Sequence, residues 1–382
     1  MSAIINEDFF GGLKSHSHAK VQLLEKYIEP WIRKVTLGLN SKCLICDTFA
    51  GEGFYDDGTA GSPIIIIKSA LNYLRQPLSK HEEVNLVFIE AEEKSYKKLK
   101  SNIEKFLNCE LEDNVFNSVC NNLRILILNA KHGELLEKLL SSVDNLIPSL
   151  FFIDPFGFKD INHEQLNNLL KKYNSCEIIL NFMYEEFNRF KSGANIEETL
   201  TSFFGSDTSV FKEKTKNMNA RDRRNFIINE YKNNFMKNGV KFTLDFDIQK
   251  DDSAAYKMAL VFASNNVKGF NVMKSTMLKL SKNIYFEYKT HEQNEPTIFS
   301  GHELDMAISE MANIMLNDLI GKRLTRLKVD SYCRYHNIIP EDMAVKILKR
   351  LSSENKIILI NNGIKRKNPK QFPEGSFIEF CG

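Results

Sequence analysis

Four consecutive residues, Asp154-Pro155-Phe156-Gly157, carry the clearest chemical signal in this chain. They follow the apolar run 149–153, which predicts a buried strand. A carboxylate at this point can accept a hydrogen bond from a planar amine, and the neighbouring aromatic ring can stack on a base. The proline stiffens the turn and lacks a backbone donor. Asp-Pro turns are common at strand ends, so the motif gains weight only from the residues that accompany it.

A glycine-rich segment follows the run 43–46, which is the first predicted strand. An acidic strand end followed by two glycines lets the backbone approach a nucleotide closely. The segment runs on to Ser62, a predicted helix N-cap, and Pro63, a predicted first helical residue. The sequence therefore predicts a cofactor-binding loop, whose candidate residues are Asp47, Phe49, Ala50, Gly51, Gly53 and Ser62.

Three further residues complete the predicted cofactor site. Glu90 ends the second predicted strand, 84–89, where a carboxylate can accept hydrogen bonds from both ribose hydroxyls. Asn129 follows the third strand and either faces an adenine ring or serves as a structural turn residue. Lys20 is a candidate contact for an anionic substrate or for a cofactor carboxylate.

His16 and His18 precede Lys20 and raise the question of a metal site. Two histidines at i and i+2 are poor helical partners, and no third ligand has a defined position. An ordinary N-terminal loop is the favoured interpretation, and no metal site is predicted.

The cofactor class follows from what the glycine-rich segment contains and lacks. No Gly-x-x-x-x-Gly-Lys-Ser/Thr segment is present, which argues against a P-loop ATPase. A nicotinamide enzyme remains open, but its fingerprint needs three glycines and an acidic residue about 20 positions on. Glu90 lies much farther from Gly53 than that. S-adenosylmethionine fits better, because it carries a ribose but no pyrophosphate.

Apolar runs and helical patterns alternate between residues 42 and 264, which is typical of a parallel sheet covered on both faces. The predicted strands are 43–46, 84–89, 123–128, 150–153 and 177–182. The predicted helices are 63–74, 94–107, 134–140 and 163–172. Runs 241–249 and 256–263 predict a closing antiparallel hairpin. The expected fold is Rossmann-like, with a mostly parallel seven-stranded sheet and an antiparallel last strand, and the family resemblance described below implies the methyltransferase version of this fold.

The length of 382 residues predicts two domains. The first, 1–300, has an N-terminal extension and a helical insertion at 184–240, which is either a lid or a structural cap. The second is 301–382. Its predicted helices are 304–320, 329–335 and 343–351, and its predicted strands are 357–360 and 376–380. This order outlines a winged helix.

Positive charge is concentrated in the second domain. Residues 321–371 contain thirteen Lys or Arg and four Asp or Glu, a local charge of +9 that leaves −7 for the rest. Such a module suits a polyanionic partner, DNA or RNA, although a solvated basic face is the alternative. The candidate nucleic-acid contacts are Arg189, Lys346, Lys349, Arg350, Lys365, Arg366 and Lys367.

The cysteines and the hydropathy of the sequence indicate the expected cellular location of the protein. Seven scattered cysteines do not suggest a disulfide framework. Cys43 and Cys46 form a lone C-x-x-C, which is better interpreted as two core cysteines. No apolar run reaches the length of a membrane span, and residues 1–20 lack the apolar core of a signal peptide. A cytoplasmic protein without a membrane partner is expected.

Taken together, these motifs resemble the three-Cys-motif partner protein (TcmP) family. The resemblance lies in segments 47–53, 61–63, 88–90 and 152–157, in His16 and Lys20 ahead of Tyr27 and Trp31, and in Asn188-Arg189. It covers nearly the whole chain. It implies a core like that of S-adenosylmethionine-dependent methyltransferases. The family is named for a neighbouring radical-type protein with three cysteines, so the resemblance also implies such a partner.

The motif at 154–157 also resembles that of tRNA guanine dimethyltransferases, which act on an exocyclic amine. It departs from the Asp-Pro-Pro-aromatic pattern of adenine amino-methyltransferases, because Phe156 and Gly157 occupy the last two positions. The leading hypothesis is a methyltransferase that acts on a nucleic-acid base. The alternatives are a catalytically inactive adaptor that binds nucleic acid and a partner protein, and a methyltransferase of proteins or small molecules.

Overall fold

The computed structural model describes residues 15–36, 41–77, 82–120, 122–190, 197–249, 256–281, 283–288, 301–367, 369 and 371–381. The chain divides into two compact units. The first comprises Met1–Phe270 and Lys289–His291, and the second comprises Asn271–Tyr288 and Glu292–Gly382. Over the described ranges, no helix is both long enough and apolar enough to cross a membrane.

The first unit alternates strands with helices. Its first half contains α1 (Ser15–Thr36), β1 (Lys42–Asp47), α2 (Ser62–Leu74), β2 (Glu83–Glu90), α3 (Glu93–Leu107), β3 (Asn117–Cys120), β4 (Leu123–Asn129), α4 (His132–Ser142) and β5 (Ser149–Ile153). Its second half contains α5 (His163–Lys172), β6 (Cys176–Phe182), α6 (Tyr184–Phe190), α7 (Glu197–Phe204), α8 (Phe211–Thr215), α9 (Ala220–Lys237), β7 (Phe242–Gln249) and β8 (Tyr256–Ser264). The strands and helices predicted between residues 42 and 264 are confirmed, with their ends shifted by one or two residues.

The strands of this unit form a mixed sheet in the order β3-β4-β2-β1-β5-β6-β8-β7. Strands β4, β2, β1, β5 and β6 pair in parallel, and β8 pairs antiparallel with both β6 and β7. The order reverses direction between β1 and β5, which creates a crevice at their carboxyl ends. The Rossmann-like arrangement is therefore confirmed. The edge strand β3 is additional to the predicted set, because its four residues lack an apolar run.

Both faces of the sheet are covered. Val87 and Ile89 of β2 belong to a buried cluster that also contains side chains of α5, α7 and α9, whereas Phe88 is buried outside that cluster. Most of the aromatic rings in this cluster come from the insertion. One of them is Phe203, whose ring centroid lies 4.6 Å from that of Phe158. The insertion at 184–240 thus contributes to the core, which favours a structural cap.

The N-terminal segment around His18 and Lys20 is helical, so the interpretation as a loop was wrong. Tyr27 and Trp31 lie one turn apart on α1 and are fully buried. Their spacing was a helical signal in the sequence. Pro30 lies inside the helix and obscures that signal. The side chain of His16 lies outside the described residues.

The second unit combines helices with a small sheet. Its elements are α10 (Val267–Ser281, which begins in the first unit), β9 (Glu287–Tyr288), α11 (Gly301–Leu319), β10 (Arg323–Thr325), α12 (Arg326–Tyr335), a 3-10 turn (Glu341–Met343), α13 (Ala344–Ser353), β11 (Ile357–Asn361), β12 (Ile364–Arg366) and β13 (Phe377–Phe380). Four strands pair antiparallel in the order β10-β13-β11-β12. The predicted helices and strands are confirmed, and α10, β9, β10 and β12 are additional to the predicted set.

Candidate active site

The predicted site residues meet at one edge of the sheet. Asp47 ends β1, Glu90 ends β2, Asn129 ends β4 and Asp154 follows β5. Because these strands run parallel, their carboxyl ends lie side by side. The register confirms it, since Asp47 pairs with Phe152 of β5 as well as with β2.

The glycine-rich segment forms a closed loop above this edge. Gly51 and Gly53 have positive φ values of 60° and 85°, a region that glycine adopts at no steric cost. The Gly61 amide donates to the Gly53 carbonyl at 2.8 Å and closes the loop. A Cβ added at Gly51 would meet no atom within 4 Å, so the loop is open there. Gly61 is the N-cap of α2, one residue before the predicted position, and Ser62 is the first helical residue.

Asp47 is a fully buried carboxyl group. Its Oδ1 accepts a hydrogen bond from the Phe49 amide at 3.2 Å, and its Oδ2 has no partner among the described residues. Burial raises the pKa of Asp47 to about 7, while contacts with Ser62 and Phe49 oppose the rise and nearby Asp154 adds to it. A cation that reached the unpartnered oxygen would favour the ionised form.

Glu90 ties the glycine-rich loop to the end of β2. Its two carboxylate oxygens accept hydrogen bonds from the Gly51 amide at 2.9 Å and the Glu92 amide at 2.8 Å. A carboxylate has about four acceptor positions, so about two remain for a ligand. Asn129 donates to the carbonyls of Glu90 and Ala91 at 2.8 and 3.1 Å, which gives its amide nitrogen a structural role in this turn.

Asp154 is held by two side chains. Lys20 Nζ lies 2.5 Å from Oδ2, and Asn181 Nδ2 lies 2.7 Å from Oδ1. Burial alone would lower the pKa of Lys20, but attraction to Asp154, with smaller contributions from Tyr55 and Asp47, raises it. The Lys20 side chain is therefore an ammonium at neutral pH. Lys20, a candidate contact for an anionic substrate or for the cofactor, is thus paired with Asp154.

Sequence reasoning missed Asn181 and His132. Asn181 is a polar residue inside the otherwise apolar β6, and that interruption was the available signal. The His132 ring stacks on Phe49 with centroids 5.2 Å apart. Burial lowers the pKa of His132 to about 4, and neither ring nitrogen has a partner among the described residues. His132 is thus a neutral ring packed against Phe49 of the glycine-rich segment.

The rest of the Asp-Pro-Phe-Gly motif differs sharply in exposure. Pro155 is buried, whereas the Phe156 side chain is 87% exposed. Exposure of a large ring beside the held Asp154 carboxylate leaves its face available for stacking. Gly157 lies near Glu186, because an added Cβ would be 3.7 Å from Oε2 of that residue.

The candidate nucleic-acid contacts fall mainly in the second unit. Lys346, Lys349 and Arg350 lie on the exposed side of α13, and Arg350 pairs with Glu354 at 2.5 Å. The remaining basic residues, Lys365, Arg366 and Lys367, are exposed on and after β12. Arg189 lies in α6 of the first unit, and its side chain falls outside the described residues. Cys43 and Cys46 are buried free thiols, as predicted.

Strand order and the glycine-rich loop define a Rossmann-like α/β protein with a ligand edge at the β1–β5 crevice. No protein-family model and no curated protein matches the chain.

Among solved structures, the chain is similar to an O-methyltransferase from Bacillus cereus in complex with SAH, at 15% identity over 67% of this chain and 93% of that chain, with a TM-score of 0.34. It is similar to an rRNA methylase from Streptococcus thermophilus at 10% identity over 65% and 94%, with a TM-score of 0.30. It is also similar to MNMC2 from Aquifex aeolicus at 9% identity over 64% and 60%, with a TM-score of 0.33. The chain thus spans less than two thirds of MNMC2. Such TM-scores are too low to decide function, and the fold assignment rests on strand order.

Proposed function

We propose that the protein is an S-adenosylmethionine-dependent methyltransferase that modifies an exocyclic amine of a nucleic-acid base. The observation that carries this proposal is the held carboxylate of Asp154 beside an exposed ring, at the same sheet edge as the glycine-rich loop. A fixed hydrogen-bond acceptor and a stacking surface are what a planar amine requires. The loop and the acidic strand ends are what a nucleoside cofactor requires.

The residues at this edge fit S-adenosylmethionine on a structural criterion. Oδ2 of Asp47 is buried without a partner, and the α-ammonium of the cofactor would supply one. The open space at Gly51 admits a ligand against the backbone, and the remaining acceptor positions of Glu90 suit ribose hydroxyls. The bound cofactor would supply an electrophilic methyl group on a sulfonium.

The residues of the chain would bind and orient the acceptor. Asp154 would accept a hydrogen bond from the amine and align the nitrogen lone pair for attack. Phe156 would stack on the base, after base flipping if the substrate is a duplex. Alignment of this kind supplies a large part of the rate in two-reactant chemistry.

The second unit would hold the polyanion. Its element order of helix, strand, two helices and antiparallel strands supports a winged helix. In that arrangement α13 would be the recognition helix, and the segment that begins at β12, with Lys365, Arg366 and Lys367, would be the wing. Their exposed Lys and Arg side chains would contact phosphates, which gives affinity without sequence specificity.

Transfer of labelled methyl groups to total RNA, DNA and protein tests the proposal. Wild type should label nucleic acid, and Asp154→Ala should label it only at a small residual rate. Asp160→Ala is the matched control, because Asp160 is an exposed carboxylate in the same loop. The proposal is wrong if the folded wild type labels no nucleic acid, or if calorimetry shows no binding of S-adenosylmethionine.

An inactive adaptor is the second candidate, and one observation favours it. Both oxygens of Asp154 already have donors from the chain itself, as they would in a purely structural contact. An adaptor would bind nucleic acid and a partner, for which the resemblance to the three-Cys-motif partner family suggests a radical-type protein. It would bind nucleic acid without labelling it. If label instead reached only protein or small molecules, a third class of substrate would be indicated.

A further inference from the structure

The Asp154 carboxylate is fixed by donors from two different elements. Lys20 of α1 contacts Oδ2 and Asn181 of β6 contacts Oδ1, so each oxygen has one donor and the carboxylate plane is set. About two of its four acceptor positions remain open.

Both donors are themselves held in place. Asn181 is 2% exposed, and its backbone pairs with Leu260 in the sheet. Lys20 shares α1 with Tyr27 and Trp31, which donate to Oε2 of the buried Glu177 at 2.5 and 2.9 Å. These contacts anchor the helix about two and three turns from the lysine.

The orientation of the Asn181 amide follows from its partner. The amide nitrogen donates to Oδ1 of Asp154 and therefore points towards that carboxylate, because an amide oxygen has no proton to donate. Oδ1 of Asn181 is left buried without a partner among the described residues. The two polar atoms of the Asn181 amide can therefore be tested separately by substitution, because the nitrogen contacts Asp154 and the oxygen does not.

We propose that Lys20 and Asn181 are positioning residues of the acceptor site, which hold the Asp154 carboxylate so that its open acceptor positions face the amine. This inference rests on the proposed methyltransferase function. A carboxylate held before the amine arrives needs no reorganisation during the reaction. The helix α1 is then part of the acceptor site rather than of the cofactor site.

The test compares Lys20→Met, Asn181→Leu and Asn181→Asp, each in the wild-type and Asp154→Ala backgrounds. Asn85→Leu is the matched control, since Asn85 is a buried asparagine of β2 that bonds the Cys43 carbonyl. The readouts are kcat and KM for labelled methyl transfer to total RNA and DNA, and calorimetric affinity for S-adenosylhomocysteine.

All three site variants should lower kcat on the order of 100-fold and leave S-adenosylhomocysteine affinity unchanged. Lys20→Arg should restore part of the loss, because it keeps a cationic donor. Asn85→Leu should leave kcat unchanged. With Asp154→Ala, neither the lysine nor the asparagine change should reduce the residual rate further.

Three results would overturn the inference while wild-type transfer stands. The first is a Lys20 or Asn181 substitution that lowers kcat further in the Asp154→Ala background. The second is a wild-type kcat in Asn181→Asp. The third is weaker S-adenosylhomocysteine binding with a normal kcat in Lys20→Met. The last would return Lys20 to the cofactor site. Absence of transfer by wild type would contradict the proposed function itself, and the positioning role with it.

Discussion

Replacement of Asp47 by asparagine should stabilise the protein at neutral pH and weaken cofactor binding. Burial raises the pKa of Asp47 from 3.8 to about 7. One pKa unit corresponds to about 1.4 kcal/mol, so a rise of roughly three units costs about 4 kcal/mol at pH 7. The asparagine would bury its own N–H donors, so the expected net gain is about 1–3 kcal/mol.

The sign of the pH dependence follows from the raised pKa. A carboxyl group that is harder to ionise in the folded state destabilises the fold as pH rises from its unfolded pKa to its folded pKa. Wild type should therefore lose stability as pH rises from about 4 to about 7. In Asp47→Asn, the part of this pH-dependent loss of stability that comes from Asp47 should be absent.

Urea unfolding between pH 5 and pH 8, combined with calorimetry of S-adenosylhomocysteine, measures both effects. Glu177→Gln is the matched control, because Glu177 is also fully buried, with its pKa raised by burial to about 8, but lies at the amino end of β6. It should flatten the pH dependence of stability without changing cofactor affinity. The reasoning is refuted if Asp47→Asn is less stable than wild type at pH 7 or binds the cofactor equally well.

Three other substitutions test separate parts of the site. Gly51→Ala should lower the free energy of unfolding by about 1–2 kcal/mol, because alanine is strained at the positive φ of this position. It should also reduce S-adenosylhomocysteine affinity more than tenfold (about 1.4 kcal/mol), as measured by calorimetry. Phe156→Ala should change stability by less than about 0.5 kcal/mol but raise the KM for nucleic acid about tenfold, whereas Phe156→Tyr should keep the wild-type KM. The double variant Lys346→Gln/Lys349→Gln should bind every nucleic-acid sequence more weakly, and the slope of log affinity against log salt concentration should fall by about one per lysine. The exposed Lys237→Gln is the control. An unchanged slope would show that α13 does not contact the nucleic acid.

The parallel strands were predictable because apolar runs end in acidic or polar residues at Asp47, Glu90 and Asn129, and parallel strands align those ends. Local pattern thus placed three cofactor candidates on one edge. It also gave three helices and the two longer strands of the second unit, while α10 was not predicted and the short strands β9, β10 and β12 were too short to carry a pattern.

The environment of Asp154 could not be predicted in the same way. Lys20 lies 134 residues away in sequence and Asn181 lies 27 away, and only the folded sheet and α1 bring them to the carboxylate. A lysine near the start of the chain has no local signature of its partner. The unpartnered oxygen of Asp47 was equally hidden, because it depends on burial by several elements.

Mass spectrometry of nucleosides after incubation with isotopically labelled S-adenosylmethionine tests the central claim most directly. Total RNA and DNA would be treated with wild type or Asp154→Ala and digested to nucleosides. The account predicts a labelled methyl group on an exocyclic amine with wild type and only a small residual amount with the variant. Label on a ring nitrogen, carbon or sugar oxygen, or equal labelling by Asp154→Ala, would contradict it.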